Sequence, residues 1–331
     1  VFFLGEMQVP RLLLPFAFFS LAFAGEAVSS GPLGGVLVDN ESRMIRPIVG
    51  LTPGGAYAGS PAVREMDFGV ASPDGTAALV GRDGWLYVVR RLDGARPVWR
   101  QLGEDKPEGP VAWSQDGKSL AMVTEGGKRV DLWRGLDTGD PQKAGSIDFT
   151  YFDETITALA VDSEAQFAFA AARHEGGGTV FLLKAGEIPR PLLDVGRPGR
   201  LLLTGTALYV ADRGRSEVLR LSDWDQSPKI ATVATPGHGL ADPVGIALAP
   251  NGEVLFVASA GSRQVAALDA ETGAVRHVRE LDFRPRSLEP LSRGAYLLLD
   301  SGVPGESPAQ VMDSRTFQVF FIPVSALPAA D

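Results

Sequence analysis

Short apolar runs of four to seven residues recur along this chain, each stopped by Gly, Pro, Asp, Asn or Ser. The clearest series spans 242–281. Residues 244–249 make one run, followed by the turn Pro250-Asn251-Gly252. Residues 254–258 make a second, and a loop at Gly261-Ser262 leads to a third at 265–269. The turn Glu271-Thr272-Gly273 leads to a fourth at 275–281. Runs this short, rich in Val, Leu and Ala and bounded by turn residues, predict strands and not helices.

The same order returns at 66–103, 110–148, 156–195, 200–234 and 286–322. Turn glycines set the period: Gly75 to Gly117 is 42 residues, Gly205 to Gly252 is 47 and Gly252 to Gly294 is 42. From Gly117 to Gly205 is 88, two units spanning a degenerate turn at 162–166. Periods of this size mark repeat architectures, and a four-stranded meander of about 40 residues is one blade of a β-propeller. The runs Leu201-Leu202-Leu203 and 167–172 are apolar at every position. Strands packed on both faces read this way, as blades wedged between neighbours require. The pattern therefore predicts an all-β protein, a β-propeller with six complete four-stranded blades over 66–324. A β-sandwich, or two β domains, leaves the recurring Asp-Gly-type turn without a reason. Residues 35–49 (GVLVDNESRMIRPIV) add a hairpin that matches only the third and fourth strands of a blade. Either six blades close the ring and the hairpin packs on it, or it belongs to a partial seventh blade. Six is favoured, because inner strands line the channel and missing ones would leave a gap.

The N-terminus changes the picture next. Residues 7–24 read as a secretory signal peptide: Met7 is the expected start, Arg11 the positive end and 12–23 the apolar stretch. Ala22-Phe23-Ala24 is the cleavage motif. About a dozen apolar residues are too few to span a bilayer, which needs about 20. Domains follow as upstream residues and signal peptide 1–24, N-terminal segment 25–65, propeller 66–324 and tail 325–331. The expected location is the periplasm or the extracellular space. The chain has no Cys, so an acyl anchor, disulfides and Cys-ligated metals are excluded. A net charge of −9, with both signs interspersed, disfavours nucleic acid and anionic membrane.

The series Pro243-Val244-Gly245-Ile246-Ala247, Pro250-Asn251-Gly252, 255–258, 264–269 and Thr272-Gly273 resembles YVTN-type and NHL-type propeller repeats. Ser72-Pro73-Asp74-Gly75 and Ser114-Gln115-Asp116-Gly117 resemble the turn of TolB-like and WD40-like propellers. The resemblance covers roughly 66–322 and implies fold; such folds host lactonases, lyases, quinoproteins and scaffolds. Residues 267–273 (ALDAETG) resemble part of the tryptophan-docking motif of quinone-dependent dehydrogenases. His277 stands where that family has Trp, and the motif occurs in full once. A structural Asp-x-x-Thr-Gly turn is the better reading, and no cofactor is implied.

Candidate chemistry gathers on one face. In a propeller, the loop arriving at each inner strand and the loop between second and third strands open on the same side. Arriving loops carry His238, Asp242 and Arg284, together with Glu154 and Arg200. The other loops carry Arg173, His174, Asp212 and Arg213. Mixed charge around a channel mouth suits a protein partner or a polar small-molecule ligand bound by a monomer. The expectation is thus an exported, non-catalytic binding propeller, with neither catalytic nor metal residues assigned. The alternative is a lactonase or lyase acting on a lactone or sugar acid, with His174 and His238 as the acid/base or metal pair. The only Asn residues, Asn40 and Asn251, are expected away from that face, which weakens a metal-dependent hydrolase. His277, on an outermost strand, is expected to be exposed.

Overall fold

A computed structural model describes residues 33–50, 56–57, 61–92, 96–104, 106–300 and 308–323. The expected signal peptide, residues 25–32 and the tail 325–331 lie outside them.

Six four-stranded antiparallel meanders are present, as the repeats predict. Blade 1 spans 68–103, blade 2 111–148, blade 3 155–195, blade 4 198–234, blade 5 243–280 and blade 6 289–322. The recurrent turns have a common chemistry. Ser72 Oγ donates to Asp74 and accepts the Ala77 N–H, while Gly75, at φ 72°, donates its N–H to the Ser72 carbonyl. Ser114, Asp116, Ser119 and Gly117 repeat this bond for bond. Left-handed φ is what requires Gly in these turns. The degenerate turn of blade 3 keeps the geometry with other residues. Asp162 takes the place of Ser, accepting the Phe167 N–H at 2.9 Å, and Ala165 holds φ 53°.

Each blade sends alternate side chains to its two neighbours. In strand Leu120–Thr124, Leu120 and Met122 pack toward blade 1 and Ala121 and Val123 toward blade 3. Seven buried apolar clusters result among the described residues, one at each interface of a closed ring.

That ring has seven sectors. The N-terminal strands Leu33–Asp39, Met44–Val49 and Ala56–Tyr57 form a three-stranded sheet between the last blade and the first. Val36 and Ile45 pack with Met66, Val80 and Val89 of the blade 1 side, while Leu37 and Ile48 pack with Leu291, Leu298 and Val311 of blade 6. The hairpin is therefore a partial seventh blade, and the expectation that six blades close the ring alone is corrected. The gap feared at the channel is covered by Leu33–Asp39 itself, which is the innermost strand described in its sector. It runs opposite to the other inner strands: Gly35 lies against Gly75, at the far end of blade 1's inner strand, and Asn40 bonds Gly69 near that strand's start. Its polarity is that of a second strand, but its place is on the channel.

Candidate functional site

All seven sectors line one central channel of about 830 Å³. Its walls come from the inner strands Leu33–Asp39, Phe68–Ala71, Val111–Trp113, Thr155–Val161, Pro198–Leu203, Pro243–Leu248 and Glu289–Leu291. Five arginines also line it: Arg173, Arg197, Arg200, Arg213 and Arg286. Glu289 is the one carboxylate among the described lining residues. A chain with net charge −9 thus concentrates cations at one mouth.

Asp242 organises this mouth. It sits in the loop arriving at blade 5, at φ 54°, a left-handed conformation that Asp tolerates better than most residues. Arg213 Nε donates to its Oδ1 at 2.7 Å and Arg213 Nη2 to its Oδ2 at 3.0 Å. Arg197 donates at 2.8 Å and Arg284 at 3.2 Å. Three guanidiniums from blade 4 and the loop before blade 6 thus converge on one carboxylate. The hydrogen bond from Arg213, against a smaller opposing effect of burial, holds that carboxyl below its ordinary range, and the charges of Arg213 and Arg197 add to it. One negative charge against three positive ones leaves the cluster cationic, with planar N–H forks suited to carboxylate or phosphate.

Asp212 has a different role from the one expected. Its side chain is fully buried, and it accepts the backbone N–H groups of Gly196, Arg197, Gly214 and Arg215 at 2.7–3.1 Å. It fixes the two loops from which Arg197 and Arg213 project. Arg173 lines the mouth, exposed, with no ion pair among the described residues.

Each of the two mouth histidines is engaged within its own loop. His238 belongs to a single-turn helix, Pro236–His238, where its Nδ1 accepts the Thr235 N–H at 3.0 Å in a capping box. His174 Nδ1 meets the Glu175 carbonyl at 2.9 Å. Beside His174, burial pushes the Glu154 carboxyl above its usual range, with the His174 charge opposing. His277 is exposed on its outer strand as expected, with its ring tilted against that of Phe317 at a centroid separation of 4.1 Å. The Asp269-x-x-Thr272-Gly273 motif is a turn: Asp269 accepts from the N–H groups of Glu271 and Thr272, and Gly273 has φ 73°.

The structure overturns one placement. Asn40 is in the channel lining, because its strand runs toward the loop face, and its amide is committed to both backbone groups of Gly69. Sequence reasoning missed Arg197, Arg286 and Glu289. Arg197 and Arg286 lie in arriving loops, the positional rule that found Asp242, and application of that rule to every residue from 196 and from 282 onward finds them. Glu289 begins an inner strand.

The fold is that of a β-propeller. No protein-family model matches the chain, and no curated protein matches it. Solved structures do. A functionally unknown protein from Desulfotomaculum acetoxidans superposes with a TM-score of 0.61 at 14% identity, over 88% of this chain and 95% of that one. Hydrazine synthase of Kuenenia stuttgartiensis gives 0.54 at 14% identity, over 90% and 94%. The β-propeller domain of Myceliophteria thermophila Cps50 (Swd1) gives 0.51 at 12%, over 76% and 83%. At such identities the likeness concerns fold alone.

Proposed function

We propose that this chain is an exported, non-catalytic β-propeller that binds an acidic group of a protein partner or polar ligand at its arginine-lined mouth. The observation that carries this reading is the convergence of Arg197, Arg213 and Arg284 on the single carboxylate of Asp242. A preorganised cationic cluster attracts anions by charge and orders them by geometry. Export rests on the 7–24 segment, and the YVTN-like and NHL-like turns accord with a binding propeller. The lactonase alternative relied on His174 and His238 acting together, and each ring is engaged in its own loop.

The test is fluorescence anisotropy with a labelled hexaglutamate peptide and a neutral control of equal length. The acidic peptide is expected to bind more tightly, and the double variant Arg213→Ala/Arg284→Ala to lose about tenfold or more. Rising salt should weaken binding, since these side chains are partly exposed and screened. Equal affinity for both peptides, or an unchanged double variant, would remove the basis of the proposal. Cell fractionation of the full chain checks export; retention in the cytoplasm contradicts it.

A further inference from the structure

A second ion pair in the mouth lies apart from the Asp242 cluster and has an unusual span. Arg200 Nη2 donates to Glu289 Oε2 at 2.8 Å. Arg200 stands on the inner strand Pro198–Leu203 of blade 4 and Glu289 on Glu289–Leu291 of blade 6. Blade 5, with inner strand Pro243–Leu248, lies between those blades. The pair is therefore strung across the rim of the channel over a whole intervening blade, and both residues line the cavity. Elsewhere in the mouth, ion pairs join the same or adjacent sectors, as with Arg213–Asp242.

Such a pair does little for stability. Arg200 and Glu289 are 44% and 40% exposed, and exposed pairs contribute little net free energy. Its chemistry is that of a bound ligand: a carboxylate oxygen on a guanidinium at the opening of a cavity. Of the other arginines in the lining, Arg197 and Arg213 are already held by Asp242. Arg173 has no ion pair among the described residues, and Arg286 reaches Asp300 at 3.5 Å.

We infer that Arg200 is the anchor of a carboxylate subsite in the channel mouth, and that Glu289 occupies it as an internal surrogate for the carboxylate of a small polycarboxylate ligand. An incoming carboxylate exchanges with Glu289 on Arg200 with little net loss of ion pairing. Its further carboxylates then have Arg173 and Arg286, which line the same cavity, as cationic partners. The cavity of about 830 Å³ accommodates a small molecule of this class. This inference rests on the anion-binding reading of the mouth and assigns the ligand class at one position within it.

The experiment is isothermal titration calorimetry of the full chain with citrate, and with inorganic phosphate as the comparison anion. Removal of the competing charge in Glu289→Gln should tighten citrate binding about tenfold, with phosphate changing less. Arg200→Ala placed on Glu289→Gln should abolish the gain, and Arg200→Lys should retain part of it. Melting temperatures within a few degrees of the unaltered protein show that the variants are folded. The inference is overturned if Glu289→Gln binds citrate no more tightly, if the gain survives Arg200→Ala, or if phosphate gains as much as citrate. Hexaglutamate binding that still depends on Arg213 and Arg284 would then leave the broader reading standing. Loss of that dependence would remove the broader reading separately.

Discussion

At position 131, in the third strand of blade 2, a carboxylate with no exposed surface accepts from four side chains. Ser146 Oγ donates at 2.7 Å, Arg129 Nε approaches at 2.9 Å, Lys143 Nζ at 3.0 Å and Thr124 Oγ1 at 3.3 Å. Burial alone would raise its pKa, but the hydrogen bonds from Ser146, Lys143 and Arg129 together outweigh it and hold the carboxyl below its ordinary range. A depressed folded-state pKa stabilises the fold at pH above the unfolded carboxylate value, near 4. That contribution disappears as pH falls through the folded value. Asp131→Asn should therefore cost about 2–3 kcal/mol at pH 7, less than a fully buried pair because both cations are partly solvated. Urea unfolding at pH 7 and pH 3 checks this: the gap between variant and parent should narrow in acid. Asp212 makes a related point about what a sequence conveys. Its place beside Arg213 at the end of an apolar run was legible, but its burial was not. Burial depends on four backbone N–H groups from two loops, which only the folded chain brings within reach.

Within single elements, strand character was legible and sector assignment was not. Every blade followed from turn chemistry and apolar runs, because those signals are local. Blade 3 lacks the turn glycine, yet its fold survives because Ala165 accepts a left-handed φ with Asp162 bonding across the turn. The N-terminal hairpin was visible at 35–49, but nothing local distinguishes a channel strand from an outer one. Its position is set by partners more than 200 residues away, Leu291 and Val311 among them. Ile48 tests that assignment. It has no exposed surface and packs against blade 6. Ile48→Ala should lower stability by about 2–4 kcal/mol, in the usual range for a large-to-small core change. Ile230, on the outer strand of blade 4 and 49% exposed, offers the comparison. Its alanine variant should stay within about 0.5 kcal/mol of the parent in the same denaturant titration. An unchanged Ile48→Ala midpoint would mean that the hairpin does not seal the ring.

For the molecule as a whole, the decisive property is closure. A linear stack of repeats has two terminal faces that need capping, whereas a ring has none, provided that every interface is filled. Here the sheet made by Leu33–Asp39, Met44–Val49 and Ala56–Tyr57 fills two of the seven interfaces at once. It covers Met66, Val80 and Val89 on one side and Leu298, Val311 and Ile322 on the other. Neither the six blades nor the sheet has another described partner for these apolar faces. Among the described residues, a variant that begins at Pro61 keeps all six four-stranded meanders and loses only that sheet. If six blades could close alone, the variant would melt at the parent temperature. The packing argues otherwise, because blades 1 and 6 would have to cross an empty sector to meet. Loss of two interface clusters amounts to several kcal/mol, and at about 2–4 °C per kcal/mol for chains of 150–250 residues the melting temperature should fall by on the order of 10 °C. Newly bared apolar faces should also drive association, seen as larger species in size-exclusion chromatography. A sharp, monodisperse species with an unchanged melting temperature would show that the ring recloses on six blades, and the N-terminal sheet would then be an appendage and not a sector.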